Sequence, residues 1–175
     1  PLNVMPPRAS VMQRIEKAGL TSDQAGYLWM DDSLGLVLDK LDELKLTRNT
    51  LVLFVADHGS GHKGSLYKAK GTEVPCIMRW PAGMKAGVRS EELIQNTDFV
   101  PTWFELAGVK KPAAYRMDGV SLAPLFQAPH QPVREYVYGE IGAARSIKTK
   151  THSYIALRYT REQVAGVQER QRREL

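Results

Sequence analysis

The chain has 175 residues, 43% of them hydrophobic, enough to bury one substantial core with a minor satellite. Its single cysteine, Cys76, excludes an internal disulfide framework, and its longest apolar run, Leu51 to Ala56, falls well short of a bilayer span. The formal charge of +5 comes from 24 basic against 19 acidic residues. Much of the excess lies late in the chain, at Arg145, Lys148, Lys150, Arg158, Arg161 and Arg170 to Arg173, among Glu and Gln rather than stacking aromatics. That pattern describes a solvated helix face and argues against a nucleic-acid platform.

In chain order, Met5-Pro-Pro-Arg reads as a loop and Ser10 to Ala18 as a short helix stopped by Gly19. Ser22 opens a longer helix whose Leu28, Met30, Leu34, Val37, Leu38, Leu41 and Leu44 recur at near-helical spacing and predict its buried face. Asp31, Asp32, Asp39 and Asp42 fall mainly elsewhere, with Asp31 or Asp32 placed to pair locally. After the turn Thr47-Arg-Asn-Thr50 comes the run Leu51-Val-Leu-Phe-Val-Ala, which reads as a buried parallel strand. A second short strand is expected around Cys76 to Arg79, where Cys76 is a small buried residue. Alternating helix and strand predict an α/β fold with a largely parallel sheet.

Farther on, Glu91 to Asn96 is a candidate for another short strand. Asp98 is placed to cap a helix containing Pro101, running to Ala107 with Gly108 as its stop. Gln127 to Pro132 resembles a linker. Three short strands follow, Glu135 to Glu140, Arg145 to Lys150 and His152 to Tyr159, expected to be antiparallel. A polar helix from Thr160 through Leu175 ends the chain.

The chemistry concentrates where the first strand stops, at Asp57-His58-Gly59. Open α/β sheets place reactive groups just beyond the carboxyl ends of their strands, although a plain Asp-His-Gly turn satisfies the tripeptide equally well. A glycine-punctuated loop carrying His62 and Lys63 follows. A carboxylate oxygen suits a hard cation, and an ammonium nearby suits an anionic oxygen on a substrate that the cation also holds.

At these residues the chain resembles the sulfatase family, within the alkaline phosphatase superfamily. The family pattern is a strand ending in Asp-Asn-Gly or Asp-His-Gly, a variable loop, Lys-Gly-Thr/Ser-x-Tyr, then Val-Pro-x-Ile-x-Arg-Trp-Pro. Here these stand as Asp57-His58-Gly59, Lys63-Gly64-Ser65-Leu66-Tyr67 and Val74-Pro75-Cys76-Ile77-Met78-Arg79-Trp80-Pro81. Upstream, Tyr27 through Leu44 resembles the helix preceding that strand. Downstream, Asn96-Thr97-Asp98-Phe99-Val100-Pro101-Thr102, Asp118-Gly119-Val120-Ser121-Leu122 and Arg145 to Ile155 resemble family landmarks of the same order. The family's Cys/Ser-x-Pro-Ser-Arg signature, whose first residue becomes formylglycine, is absent, and Cys76 does not fill it.

The resemblance implies the C-terminal portion of an arylsulfatase-like enzyme, beginning after the nucleophile. The fold it implies is α/β: part of an alkaline-phosphatase-like layered sheet with flanking helices over 1–125, then a small antiparallel β subdomain with a helix over 126–175. It implies hydrolysis of sulfate esters, with Asp57 and His58 as metal ligands, Lys63 as the catalytic and substrate-binding lysine, and His62 near the substrate. Lys70 is a rival if the register shifts. The implied cofactors are a divalent metal, with calcium expected, and a formylglycine in the missing N-terminal part. His58 replaces the commoner Asn with a softer ligand, which leaves the metal's identity open.

The partners implied are a sulfated small molecule or sulfated glycan and the missing N-terminal half of the same enzyme, with no nucleic acid and no membrane span. The location implied is periplasmic, secreted or lysosomal. Two other functions fit the residues. One is a phosphomonoesterase, phosphodiesterase or phosphotransferase of the same superfamily; the other is a non-catalytic domain whose basic tail binds a polyanion.

Overall fold

The computed structural model describes residues 9–59, 63–67 and 70–173. The chain divides into two compact units, one of Pro1–Thr50 with Trp80–Ala82 and the other of Leu51–Arg79 with Gly83–Leu175.

The first unit is helical. Helix α1 (Ala9–Lys17) places Val11 and Ile15 four residues apart, and both are buried against Ala25, Leu28 and Trp29 of α2 (Ala25–Glu43). A capping box precedes α2: Thr21 N donates to Gln24 Oε1 at 2.9 Å, and Ser22–Gln24 forms a single tight turn. Arg14 Nη1 donates to both carboxylate oxygens of Asp32, at 2.7 and 2.8 Å, so that acid pairs across the two helices and not locally along its own. The apolar face expected on α2 is only partly covered. Leu28, Leu34, Leu38 and Leu41 are half-buried, while Met30, Val37 and Leu44 are exposed.

In the second unit, β1 (Val52–Val55) pairs with β2 (Cys76–Arg79), and the pairing is antiparallel. This corrects the parallel arrangement read from the apolar run. A parallel pair needs a crossover to bring the chain back to the same edge. Here the connection folds back on itself, with Ala56 N bonded to Pro75 O at 3.3 Å and Gly59 N to Gly71 O at 3.2 Å, so the ladder's pairing continues into the loop. Residues 91–95, the other candidate strand, have no regular structure.

Helix α3 (Phe99–Leu106) starts after the turn Asn96–Asp98 and ends as expected near Gly108. Asp98 does not cap it. The carboxylate is fully buried and accepts from Gln95 N at 2.7 Å through Oδ2 and from Val120 N at 2.9 Å through Oδ1. Arg134 Nη2 also donates to Oδ1, and Arg134 Nη1 donates to Gln95 Oε1 at 2.6 Å. Thr102, one turn on, accepts from Leu122 N at 2.8 Å. Segment 118–122 is thereby drawn so close that a Cβ on Gly119 would stand 2.0 Å from Thr97 O, which only glycine permits.

Helix α4 (Ala123–Gln127) leads into the linker-like stretch, which is tied down: Gln127 Nε2 donates to Gly83 O at 2.9 Å and Ser90 Oγ to Pro129 O at 2.6 Å. Strands β3 (Val137–Ile141), β4 (Ala144–Lys148) and β5 (Ser153–Leu157) form an antiparallel sheet in that order, and α5 (Arg161–Arg173) follows. The chain is thus a mixed α/β structure with small antiparallel sheets. No described helix is long and apolar enough to cross a membrane.

Candidate functional site

Strand β1 delivers Asp57 and His58 to the end of the β1–β2 pair. The Asp57 side chain is 85% exposed and that of His58 37%, so both are open to an incoming ion. His58 Nδ1 lies 2.9 Å from Gly59 O. A carbonyl can only accept, so Nδ1 is the donor in this contact, and in the uncharged form of the ring the free lone pair is the one on Nε2. That nitrogen is 3.7 Å from Asp57 Oδ2, a separation that two ligands of one divalent ion can have. The tip therefore supplies one oxygen and one nitrogen donor side by side. Among the described residues, no group of three or more His, Cys, Asp or Glu side chains converges to complete a metal site.

The lysine loop is fastened to this tip through backbone. Gly71 O accepts from Gly59 N at 3.2 Å and from Gly64 N at 3.0 Å, so one carbonyl holds the residue after His58 and the residue after Lys63. The fit around Gly59 is tight: a Cβ there would stand 1.6 Å from Lys70 O. Lys70, the rival lysine, has a left-handed backbone, φ 65°, and contributes this carbonyl to the crowding. Lys63 is exposed and pairs with no carboxylate among the described residues. His62 lies outside the described residues.

The loop rests on the terminal sheet. Leu66 Cδ2 would be 3.0 Å from a Cβ at Gly139 on β3, and Ile141 Cδ1 3.4 Å from one at Gly64. Lys148 on β4 pairs with Glu73, and Lys150 Nζ lies 2.6 Å from Glu92 Oε2. These contacts share a sheet face, since Gly139, Ser146 and Lys148 point the same way. Cys76, on β2, has its thiol pushed up from the ordinary value of 9.0 by burial, as suits a structural residue and not a nucleophile.

A family model described as Sulfatase matches residues 11–109, more than half of the chain and all of the geometry around Asp57, His58 and Lys63. The chain belongs to the sulfatase family. It is 41% identical over 126 residues to the ulvan-active sulfatase of Formosa agariphila, covering 66% of this chain and 25% of that protein. It is 35% identical over 121 residues to the steryl-sulfatase of Homo sapiens, covering 58% of this chain and 21% of that one. Among solved structures it is similar to a protein in complex with its substrate D-glucosamine-2-N,6-O-disulfate, with a TM-score of 0.67 and 27% identity over 76% of this chain and 30% of that one. The chain therefore spans about a quarter of the length of these curated relatives.

Two features of this sulfatase segment escape a reading by motif. The Gly71 carbonyl is a backbone atom, and only the spacing of Gly59, Gly64 and Gly71 hints at it. Arg134 sits just past a linker-like stretch, and its buried partner Asp98 already has a local explanation as a cap. A cue does exist there: an arginine beside the apolar Val133 and ahead of a strand.

Proposed function

We infer that this chain supplies the strand tip and the lysine loop of a sulfuric ester hydrolase. The supporting observation is the shared Gly71 carbonyl, which keeps Asp57-His58 and Lys63 at fixed ends of one knot in a chain of this family. In this reading the Lys63 ammonium binds sulfate oxygens and offsets negative charge as it builds on them and on the leaving-group oxygen. Asp57 and His58 would hold a divalent metal, calcium in our reading, and the chemistry it would supply there is Lewis-acid polarisation of the ester. The hydrogen bond from Nδ1 to Gly59 O sets the ring's orientation and tautomer, as outer partners of metal-bound histidines do. An imidazole is a softer donor than calcium prefers, so the site tolerates transition metals better than an all-oxygen site would.

The remaining donors, and a formylglycine nucleophile, come from outside this chain. The adjoining N-terminal part of the enzyme would cover Met30, Val37 and Leu44 on α2, apolar positions that are 42, 53 and 53% exposed. Sulfated sugars are the favoured substrates over small sulfated alcohols. The chain is 30% identical over 137 residues to an N-acetylglucosamine-6-O-sulfatase of Bacteroides thetaiotaomicron, and the structural neighbour binds a sulfated glucosamine.

The test is kinetic, in the full-length enzyme carrying this segment. Lys63→Ala should lower kcat/KM for a sulfate ester by roughly 10²–10³-fold, the loss typical of one preorganised charge-stabilising donor. Asp57→Ala should weaken metal binding measured by calorimetry. Unchanged kcat/KM in Lys63→Ala would overturn the assignment.

A further inference from the structure

The terminal sheet has two faces, and the lysine loop uses one of them. On the other, Tyr138 stands opposite Ile147, which stands opposite Tyr154, making one row across all three strands. These side chains are 46, 43 and 71% exposed. Beside the row, Arg145 is paired across strands with Ala156, and with Arg158 they line a cleft of about 240 Å³.

The cleft is preorganised. The Tyr138 hydroxyl donates to Glu140 Oε2 at 2.9 Å, and Arg145 Nε lies 3.0 Å from the same oxygen. Arg145 Nη1 donates to Gly142 O at 2.7 Å and to Ala144 O at 2.9 Å. Arg145 and Glu140 thus offset each other, and the hydrogen bond to Glu140 holds the Tyr138 hydroxyl above its ordinary value, while Arg158 makes no ion pair with a described residue. What remains is two aromatic faces held apart by an isoleucine, with one available guanidinium at the edge.

We propose that this outer face of the β3–β4–β5 sheet is a second, non-catalytic binding site for a sulfated glycan chain. Sugar rings lie on the Tyr138 and Tyr154 faces, and a sulfate takes the fork of Arg158. Tyrosine offers a rigid amphipathic surface whose ordering costs little, and a guanidinium matches the paired oxygens of a sulfate. The positive net charge of the chain favours the approach of a polyanion. The choice of sulfate as the anion rests on the hydrolase reading, whereas the site itself lies on the face of the sheet turned away from Leu66 and the Lys63 loop.

Titration calorimetry on the full chain, with a heparin hexasaccharide and its fully desulfated counterpart, tests this. The sulfated sugar should bind. Desulfation, Tyr154→Ala and Arg158→Gln should each weaken binding roughly tenfold, about 1.4 kcal/mol. Equal binding of the desulfated sugar overturns the proposal. So does unchanged affinity in the Tyr154→Ala/Arg158→Gln double variant. Light scattering that shows a dimer dissolved by Tyr154→Ala would assign the face to a second copy and likewise overturn it. Failure of the hydrolase reading shows only in the Lys63→Ala kinetics, so the two outcomes are separable.

Discussion

Asp98 ties three stretches of the second unit together, around Gln95, Val120 and Arg134. Its carboxylate is fully buried, faces Arg134 at one oxygen, and takes amides from Gln95 and Val120. A buried pair of this kind adds little net stability as a pair, because both charges are desolvated. Removing one partner, however, leaves the other uncompensated. Asp98→Ala should therefore cost about 3–5 kcal/mol in urea unfolding, and Asp98→Asn, which keeps the acceptor oxygen, should cost less. Equal losses for the two would mean that charge plays no part. The sequence offered Asp98 only as a helix cap, since a local role satisfies the residues around it, and Arg134 lies too far along the chain for spacing to connect them. Cys76 lies on a strand as expected, but is half-buried and not in the core. Its proton is held more tightly in the folded chain than in the unfolded one, so its contribution to stability is complete below the ordinary thiol value of 9.0 and is lost as pH rises through the folded value. Alkylation by iodoacetamide at pH 8.5 should be slower in the folded chain than in urea, and stability should decline on the alkaline side; equal alkylation rates would contradict this.

At the scale of elements, helices α1, α2 and α3 and the three terminal strands are legible because their signals are local: apolar spacing, stops at Gly19 and Gly108, and alternation. Pairing direction is not local. The run Leu51 to Ala56 has the composition of a doubly covered parallel strand, but its partner is set by how the following loop turns, and that turn depends on backbone bonds at Gly59, Gly64 and Gly71. The seating of the lysine loop on β3 is hidden for the same reason. Gly139 looks like a weak strand residue, yet Leu66 approaches the sheet so closely there that a Cβ would stand 3.0 Å from Leu66 Cδ2. Gly139→Val would drive two methyl groups toward Leu66 and Ser146, a crowding that typically costs about 1–3 kcal/mol. The Gly64 amide, now bonded to Gly71 O, should exchange with deuterium faster in that variant, as followed by NMR. Retained protection at Gly64 would show that the loop does not depend on β3.

At the scale of the whole molecule, the candidate site is strong in position and short of groups. The strand tip offers one carboxylate and one imidazole, whereas calcium takes about six or more oxygen ligands and a catalytic zinc about three from protein. No third acid or histidine joins them among the described residues. No Cys/Ser-x-Pro-Ser-Arg sequence occurs anywhere in the 175 residues, so a nucleophile of the family's kind is also lacking. In the proposed reading Lys63 would bind charge but could break no bond by itself. The isolated chain should accordingly show no turnover of 4-nitrophenyl sulfate above the buffer rate, at any calcium concentration. Adding the remainder of the enzyme as a separate polypeptide should raise the rate, and Lys63→Ala in this chain should abolish that gain. Hydrolysis by the isolated chain, lost on Lys63→Ala, would mean that these residues form a complete active centre and that the division of groups argued above is wrong.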